Sequence, residues 1–179
     1  MSYNIEILKY TTTEASFKDW NSSYIQVANL VSDLISTPKL SVIHIGSTSF
    51  MVGGKGIIDL SVLYGEGELE LAVGRLLGLG FQNQQGENVF PKSRPRKDGM
   101  IIIDDKEYLL HVHVIQRDSE ENITQLKYKE YMLDNKSARL EYENCKKEVI
   151  SQDITEQNQY GKSKSPFVKS VIKEIKYQN

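Results

Sequence analysis

A small set of residues in this 179-residue chain combines a reactive type with a telling position. Asp59 lies inside Ile57-Ile-Asp-Leu-Ser-Val-Leu-Tyr64, an otherwise mostly apolar run that reads as a strand. A carboxylate in such a run needs a charge, a hydrogen bond or a metal as partner. The chain has 3 histidines, His44, His111 and His113, and all fall in predicted strands. His111 and His113 are two apart and so share a strand face. Asp59 with one to three histidines is a donor set for Mn²⁺, Fe²⁺ or Zn²⁺, which imidazole suits better than Mg²⁺. The plainer alternative is that the histidines are hydrogen-bonded core residues, and an x-His-x-His pair alone does not choose between the two.

Between Leu40–Ile45 and Ile57–Tyr64, two strand-like runs, lie Gly46, Gly53, Gly54 and Gly56 with Ser47, Thr48 and Lys55. The pattern reads as strand, glycine-rich loop, strand. Consecutive N–H groups in such a loop form anion-binding concavities, to which hydroxyls and an ammonium add donors. No acid lies between His44 and Asp59. Phosphate facing a metal-binding carboxylate is the chemistry this implies; an unliganded connection is the alternative. Two phosphate loops are excluded. The P-loop needs a glycine where Ser49 stands and Ser or Thr where Gly56 stands. The dinucleotide fingerprint runs into a helix, and this loop runs into a strand.

A Gly-Ser at a strand end with an in-strand Asp59 farther on resembles the nucleotidyltransferase superfamily of DNA polymerase β. More narrowly, His44-Ile-Gly-Ser-Thr48 and Lys55-Gly-Ile-Ile-Asp59 resemble the GrpB family, whose motif reads roughly HIGSTxVxGLxxKPIID; Gly56 replaces its proline. Leu110-His-Val-His-Val114, Leu126-Lys-Tyr-Lys-Glu-Tyr-Met132 and Tyr160 with Lys164-Ser-Pro-Phe-Val168 are similar to later family motifs, in order. The resemblance implies an α/β (α+β) fold: a nucleotidyltransferase-like mixed sheet flanked by helices, with an added helical part. Superfamily members that transfer nucleotides carry a second carboxylate two residues after the first, where this chain has Ser61. That departure weakens the case for a two-metal mechanism. The third superfamily carboxylate lies on a neighbouring strand, where His111 or His113 would stand in for it. Some relatives are fused to an enzyme of coenzyme A synthesis.

The organisation expected is a core over 1–117 and a helical part over 118–179 packed on it. A chain of about 150 residues buries roughly 70% of its unfolded surface, so no staples are needed. One cysteine, Cys145, excludes an internal disulfide and a cysteine zinc cluster. A net charge of -2 argues neither for nucleic acid nor for an anionic membrane. No run nears the ~18 residues that cross a bilayer, and no signal pattern opens the chain, so the cytoplasm is the expected location.

Thr11-x-x-Glu14 has capping-box spacing, and Phe17, Trp20, Tyr24, Val27, Val31 and Leu34 follow as one helical face. A helix over Glu66–Leu79 would turn Leu69, Val73, Leu76 and Leu77 inward, with Gly80 as C-cap. Phe81–Phe90 reads as a strand pair turning near Gln85-Gly86. Pro91–Gly99 reads as a loop bearing Lys92, Arg94, Arg96 and Lys97, either solvated or a clamp on polyphosphate or an RNA end. A hairpin turns at Asp104-Asp105-Lys106. The remainder is helical. Ile123, Leu126, Tyr131 and Met132 form one apolar side, and Ala138, Tyr142, Cys145 and Val149 another. Ser165-Pro166 opens a last helix. Lys127, Lys129 and Lys164 reach the cleft if these helices fold over it.

The expected activity is metal-dependent nucleotidyl or phosphoryl transfer. Asp59 and Ser47 are the candidate catalytic residues, and Gly46, Ser47, Thr48, Lys55, Arg94 and Arg96 the phosphate donors. Asp59, His111, His113 and His44 would hold a divalent cation, Mg²⁺, Mn²⁺ or Zn²⁺, with a nucleoside triphosphate as ligand. The alternative is an inactive module that binds a nucleotide or coenzyme.

Overall fold

The computed structural model describes residues 5–11, 16–85, 88–151 and 157–177. In chain order its elements are α1 (Ser23–Ile35), β1 (Ser41–Ile45), α2 (Gly46–Ser49), β2 (Ile57–Tyr64), α3 (Leu69–Gly78), β3 (Gln82–Asn83), β4 (Arg96–Ile103), β5 (Lys106–Gln116), α4 (Glu120–Asp134), α5 (Lys136–Ser151) and α6 (Gln157–Tyr177). The strands form one mixed sheet in the order β1-β2-β5-β4-β3, in which only β2 and β5 run parallel.

Strand alternation divides the chemistry between the two faces. Ile58, Leu60 and Val62 of β2, with Leu110, Val112 and Val114 of β5, bury against Val27, Ala28 and Val31 of α1 and Ala72 and Leu76 of α3. The opposite face carries Asp59, Ser61, His111 and His113, and α4 reaches it through a 2.8 Å hydrogen bond from Ser61 Oγ to Gln125 Oε1. A second cluster, Phe50, Val52, Met132, Ala138 and Tyr142, fastens α4 and α5 to the segment after α2. The β4–β5 hairpin closes through two residues, Asp104 (φ 49) and Asp105 (φ 59), the pair of positive φ angles that a type I′ turn requires.

Several expectations are corrected. The first helix starts at Ser23, so Phe17 and Trp20 precede it. The Asn21 side chain accepts from Ser23 N at 3.1 Å and fixes that start, while Lys18 bridges to Gly54. Gly46–Ser49 is a helical turn and not open loop. α3 buries Ala72 and Leu76, and Leu77 is exposed; Gly80 (φ 101) ends it as expected. Among the described residues of the expected 81–90 strand pair, only Gln82–Asn83 is strand. Arg96–Gly99, read as loop, is the start of β4. On α4, Met132 is buried, but Ile123 and Leu126 are exposed. On α5 Ala138, Tyr142 and Val149 are buried as expected, but Lys146 is buried with them and Cys145 is half-buried. α6 runs through Pro166 instead of starting there. Pro166 is exposed, and Phe167 and Val168 beside it pack on the second cluster, which holds the turn despite its missing N–H. Glu14 and Gly86 lie outside the described residues, as do the side chains of Tyr160 and Lys164.

Met132 anchors the helical part in the second cluster and is 0% exposed. Met132→Ala is expected to lower unfolding free energy in urea by about 2–5 kcal/mol. Ile123→Ala, on the exposed side of the same helix, should change it by less than about 0.5 kcal/mol.

Candidate functional site

The register of four strand pairs builds the site. Directly opposed residues run across all five strands as Ile45, Asp59, His111, Asp98 and Gln82. The next row on the same face is Ile43, Ser61, His113 and Arg96. Two acids thus flank His111, with Arg96 beside them.

The Asp59 side chain is 28% exposed, and its Oδ1 lies 3.6 Å from His111 Nδ1 and 3.8 Å from His113 Nε2. Both separations exceed hydrogen-bond length. Burial by itself raises the Asp59 carboxyl, but the polar contacts and charge of the two histidines outweigh it and hold the group well below the usual carboxylate range. His111 is oriented from its other side by the Tyr10 hydroxyl, 3.0 Å from Nε2. Phe90 stands edge-on to His113 at 5.0 Å.

Gly46 brings backbone against the carboxylate. It has φ 69, and a Cβ there would lie 2.5 Å from Asp59 Oδ2. Ser47 follows, half-buried. Across from this turn, Lys129 of α4 donates to the His44 carbonyl at 2.9 Å.

The other expected residues are placed differently. His44 sits opposite Leu60, one position off the Asp59 row, and its Nε2 meets Thr48 Oγ1 at 2.9 Å. That contact also takes up the Thr48 hydroxyl, which is buried. Among the described residues no group of three or more His, Cys, Asp or Glu is gathered to hold a metal ion, so neither the expected four-ligand set nor Asp59 with both His111 and His113 is assembled as one. The glycine-rich loop has no open nest at its centre: Gly53 N donates to Glu143 Oε2 at 3.2 Å and Gly54 N to the Lys18 carbonyl at 3.0 Å. Lys146 presses on the same loop, donating to the Gly53 carbonyl at 3.0 Å. Lys55 lies in that loop, half-buried. Arg96 makes a two-point contact with Asp98, at 2.7 and 2.8 Å. Arg94 pairs with Glu121 at 3.1 Å and lies 5.8 Å from the Phe90 ring centre.

Asp98, 4% exposed, is the carboxylate that the sequence reading missed. Its signal was Arg96-x-Asp98, a period of two, hidden in a stretch rich in proline and charge. Tyr10 and Gln125 left no local signal; each arrives from a distant part of the chain.

Gly46→Ala is expected to destabilise more than Gly67→Ala in urea unfolding. Both glycines have positive φ, but a Cβ at Gly67 meets nothing within 4 Å, so the difference isolates the contact with Asp59. A second expectation concerns pH. Burial first, and then the Lys129 charge, lower His44 from its ordinary value of 6.5 to about 4, against a smaller upward pull from Asp59. The unfolded chain then binds the extra proton as pH falls from about 6.5 to about 4, and stability drops by at most about 1.4 kcal/mol per pH unit. His44→Gln should flatten that part of the urea-midpoint profile.

Among solved structures, the chain resembles the GLD-2/RNP-8 complex at a TM-score of 0.54 and 10% identity, covering 89% of this chain and 60% of that one. The Cid1 poly(U) polymerase with Mg and 3′-dATP bound scores 0.46 at 10% identity, over 71% of this chain and 41% of that one. A Leishmania infantum polymerase β ternary complex scores 0.40 at 11% identity, over 69% and 51%. The chain therefore spans less than two thirds of each. The likeness is one of fold, that of nucleotidyltransferases. No curated protein matches. The model of the GrpB protein family matches residues 11–174, and the chain belongs to that family.

Proposed function

We propose that this protein carries out metal-dependent nucleotidyl or phosphoryl transfer, with phosphates seated at the Gly46–Ser47 turn and one divalent cation held at Asp59. The observation that carries the reading is the Asp59 carboxylate itself: partly open to solvent, kept ionised, with Gly46 backbone on one oxygen and two imidazoles 3.6 and 3.8 Å from the other.

The donors fit a single cation. Asp59 with His111 or His113 supplies two ligands, and substrate phosphates and water would complete the shell. When bound, the cation neutralises charge on the phosphates and polarises the phosphorus under attack. The chain's own residues do the rest. Tyr10 holds the His111 ring in place. Ser47 and the amides at the turn would bind phosphate oxygens. Lys129, half-buried beside the turn, adds positive charge. Arg94, in an exposed pair with Glu121 worth at most about 1 kcal/mol, is available to a longer polyphosphate or an RNA end. Arg96 is committed to Asp98 and shapes the wall.

A second reading is favoured by Ser61. It occupies the place of the superfamily's second carboxylate, is 0% exposed, and spends its hydroxyl on Gln125. A protein so built would bind a nucleotide or coenzyme without turnover.

Thermal shift with nucleoside triphosphates and coenzyme A precursors, each with Mg²⁺, Mn²⁺, Zn²⁺ or EDTA, separates the two. A rise in Tm that needs the cation and disappears in Asp59→Asn, followed by transfer of label from the triphosphate, is expected. A rise equal in EDTA points to the binding module, and no rise with any nucleotide removes the nucleotide from the proposal.

A further inference from the structure

The segment that leads from β3 into β4 carries an aromatic ring that neither apolar cluster uses. Phe90 is half-buried, yet it packs with neither set of core residues. Its place is fixed all the same, by the Gln84 side chain just after β3. Gln84 Oε1 accepts from the Phe90 amide at 2.9 Å, and its Nε2 donates to the Asn88 carbonyl at 3.1 Å. Gln84 N in turn donates to the Arg96 carbonyl at 3.4 Å, which ties the segment to the sheet.

The neighbours of this ring belong to the candidate site. It stands nearly perpendicular to the His113 ring, at 82° with centres 5.0 Å apart, and His113 Nε2 lies 3.8 Å from Asp59 Oδ1. Arg94 and Arg96 each bring a guanidinium to 5.8 Å from the Phe90 centre. The two cations differ in freedom. Arg96 is held in the wall by Asp98, whereas Arg94 is 42% exposed and pairs only with the exposed Glu121.

Phosphate alone gives no reason to hold an aromatic ring here, because phosphate has no flat apolar face. A nucleobase does. Every base presents a π face, aromatic side chains take it by stacking, and an arginine beside the ring adds to the attraction. The position also suits a nucleotide. One imidazole separates Phe90 from Asp59, much as a ribose separates a base from its α-phosphate.

We propose that Phe90 is the stacking platform for the base of a nucleotide, with the planar Arg94 guanidinium as a second surface beside it. This inference rests on the function proposed above, with phosphates at the Gly46–Ser47 turn, and narrows it. The ligand carries an aromatic base, and a phosphate ester without one loses the contact.

The test is isothermal titration calorimetry of the full chain with ATP and with tripolyphosphate, both in Mn²⁺. The two ligands share three phosphates and differ in the nucleoside. Phe90→Ala is expected to weaken ATP binding about tenfold, as loss of a stacked aromatic does, and to leave tripolyphosphate unchanged. The tripolyphosphate value also reports that the variant is folded. Phe90→Leu, which keeps an apolar side chain, should lose part of the same increment, and Phe90→Tyr should retain it. ATP affinity unchanged in Phe90→Ala, or a loss shared by both ligands, would overturn the stacking proposal and leave the reading of Asp59 standing. Binding of neither ligand by the unaltered chain would remove both.

Discussion

The parallel pairing of β2 with β5 places Asp59 beside His111 and Ser61 beside His113. A parallel pair needs a long crossover, here α3 with β3 and β4, so the chemistry of the site is assembled from residues about fifty positions apart. The pairing has no freedom to slip. One residue of shift would turn Ile58, Leu60 and Val62 out of the core and Asp59 into it. Those three side chains are all 0% exposed, so the apolar face enforces the polar one.

The same register explains the electrical state of the site. Asp59 and Asp98 stand on either side of His111, two strands apart. Arg96 holds Asp98 by a two-point contact at 13% and 6% side-chain exposure. Asp59 is left with only imidazole neighbours on its Oδ1 side. It is the acid on this face that no arginine holds.

Much of this frame was legible in the residues. Asp59 inside an apolar β-branched run, the His111 and His113 face, and a hairpin turn beginning at Asp104-Asp105 follow from period-two alternation and turn chemistry, although Lys106, expected in the turn, already belongs to β5. The family motifs span both the sheet and the helical part. What stayed hidden has a common cause. Arg96–Gly99 looks like loop because its charged side chains and glycine are poor strand formers, yet pairing with β5 on one side and a bridge from Leu8 to Met100 on the other hold it in the sheet. The start of α1 was misplaced because Phe17 and Trp20 have helical spacing but pack as extended chain, Trp20 Nε1 donating to the Thr48 carbonyl at 2.9 Å. His44 was grouped with the other histidines by type. Strand parity alone, which sets it opposite Leu60 and not Asp59, would have separated it.

The glycines of the central loop show why composition misleads about phosphate. A run of Gly with Ser and Lys suggests amides free for an anion, but each glycine here answers to a different neighbour. Gly46 admits the Asp59 carboxylate, Gly53 the Phe17 ring and Lys18 carbonyl, Gly54 the buried Lys146, and Gly56 the Tyr24 hydroxyl. At Gly53 and Gly54 the amides are spent on Glu143 and Lys18, so that half of the loop is a clasp between the first segment and α5. Only the Gly46 end joins backbone to an acid that faces solvent. Close approach, and not conformational freedom, is what most of these positions need, and that need is filled from elements far away in sequence. The phosphate-binding role proposed above therefore rests on the Gly46–Ser47 turn, while Gly53 and Gly54 tie the loop to α5.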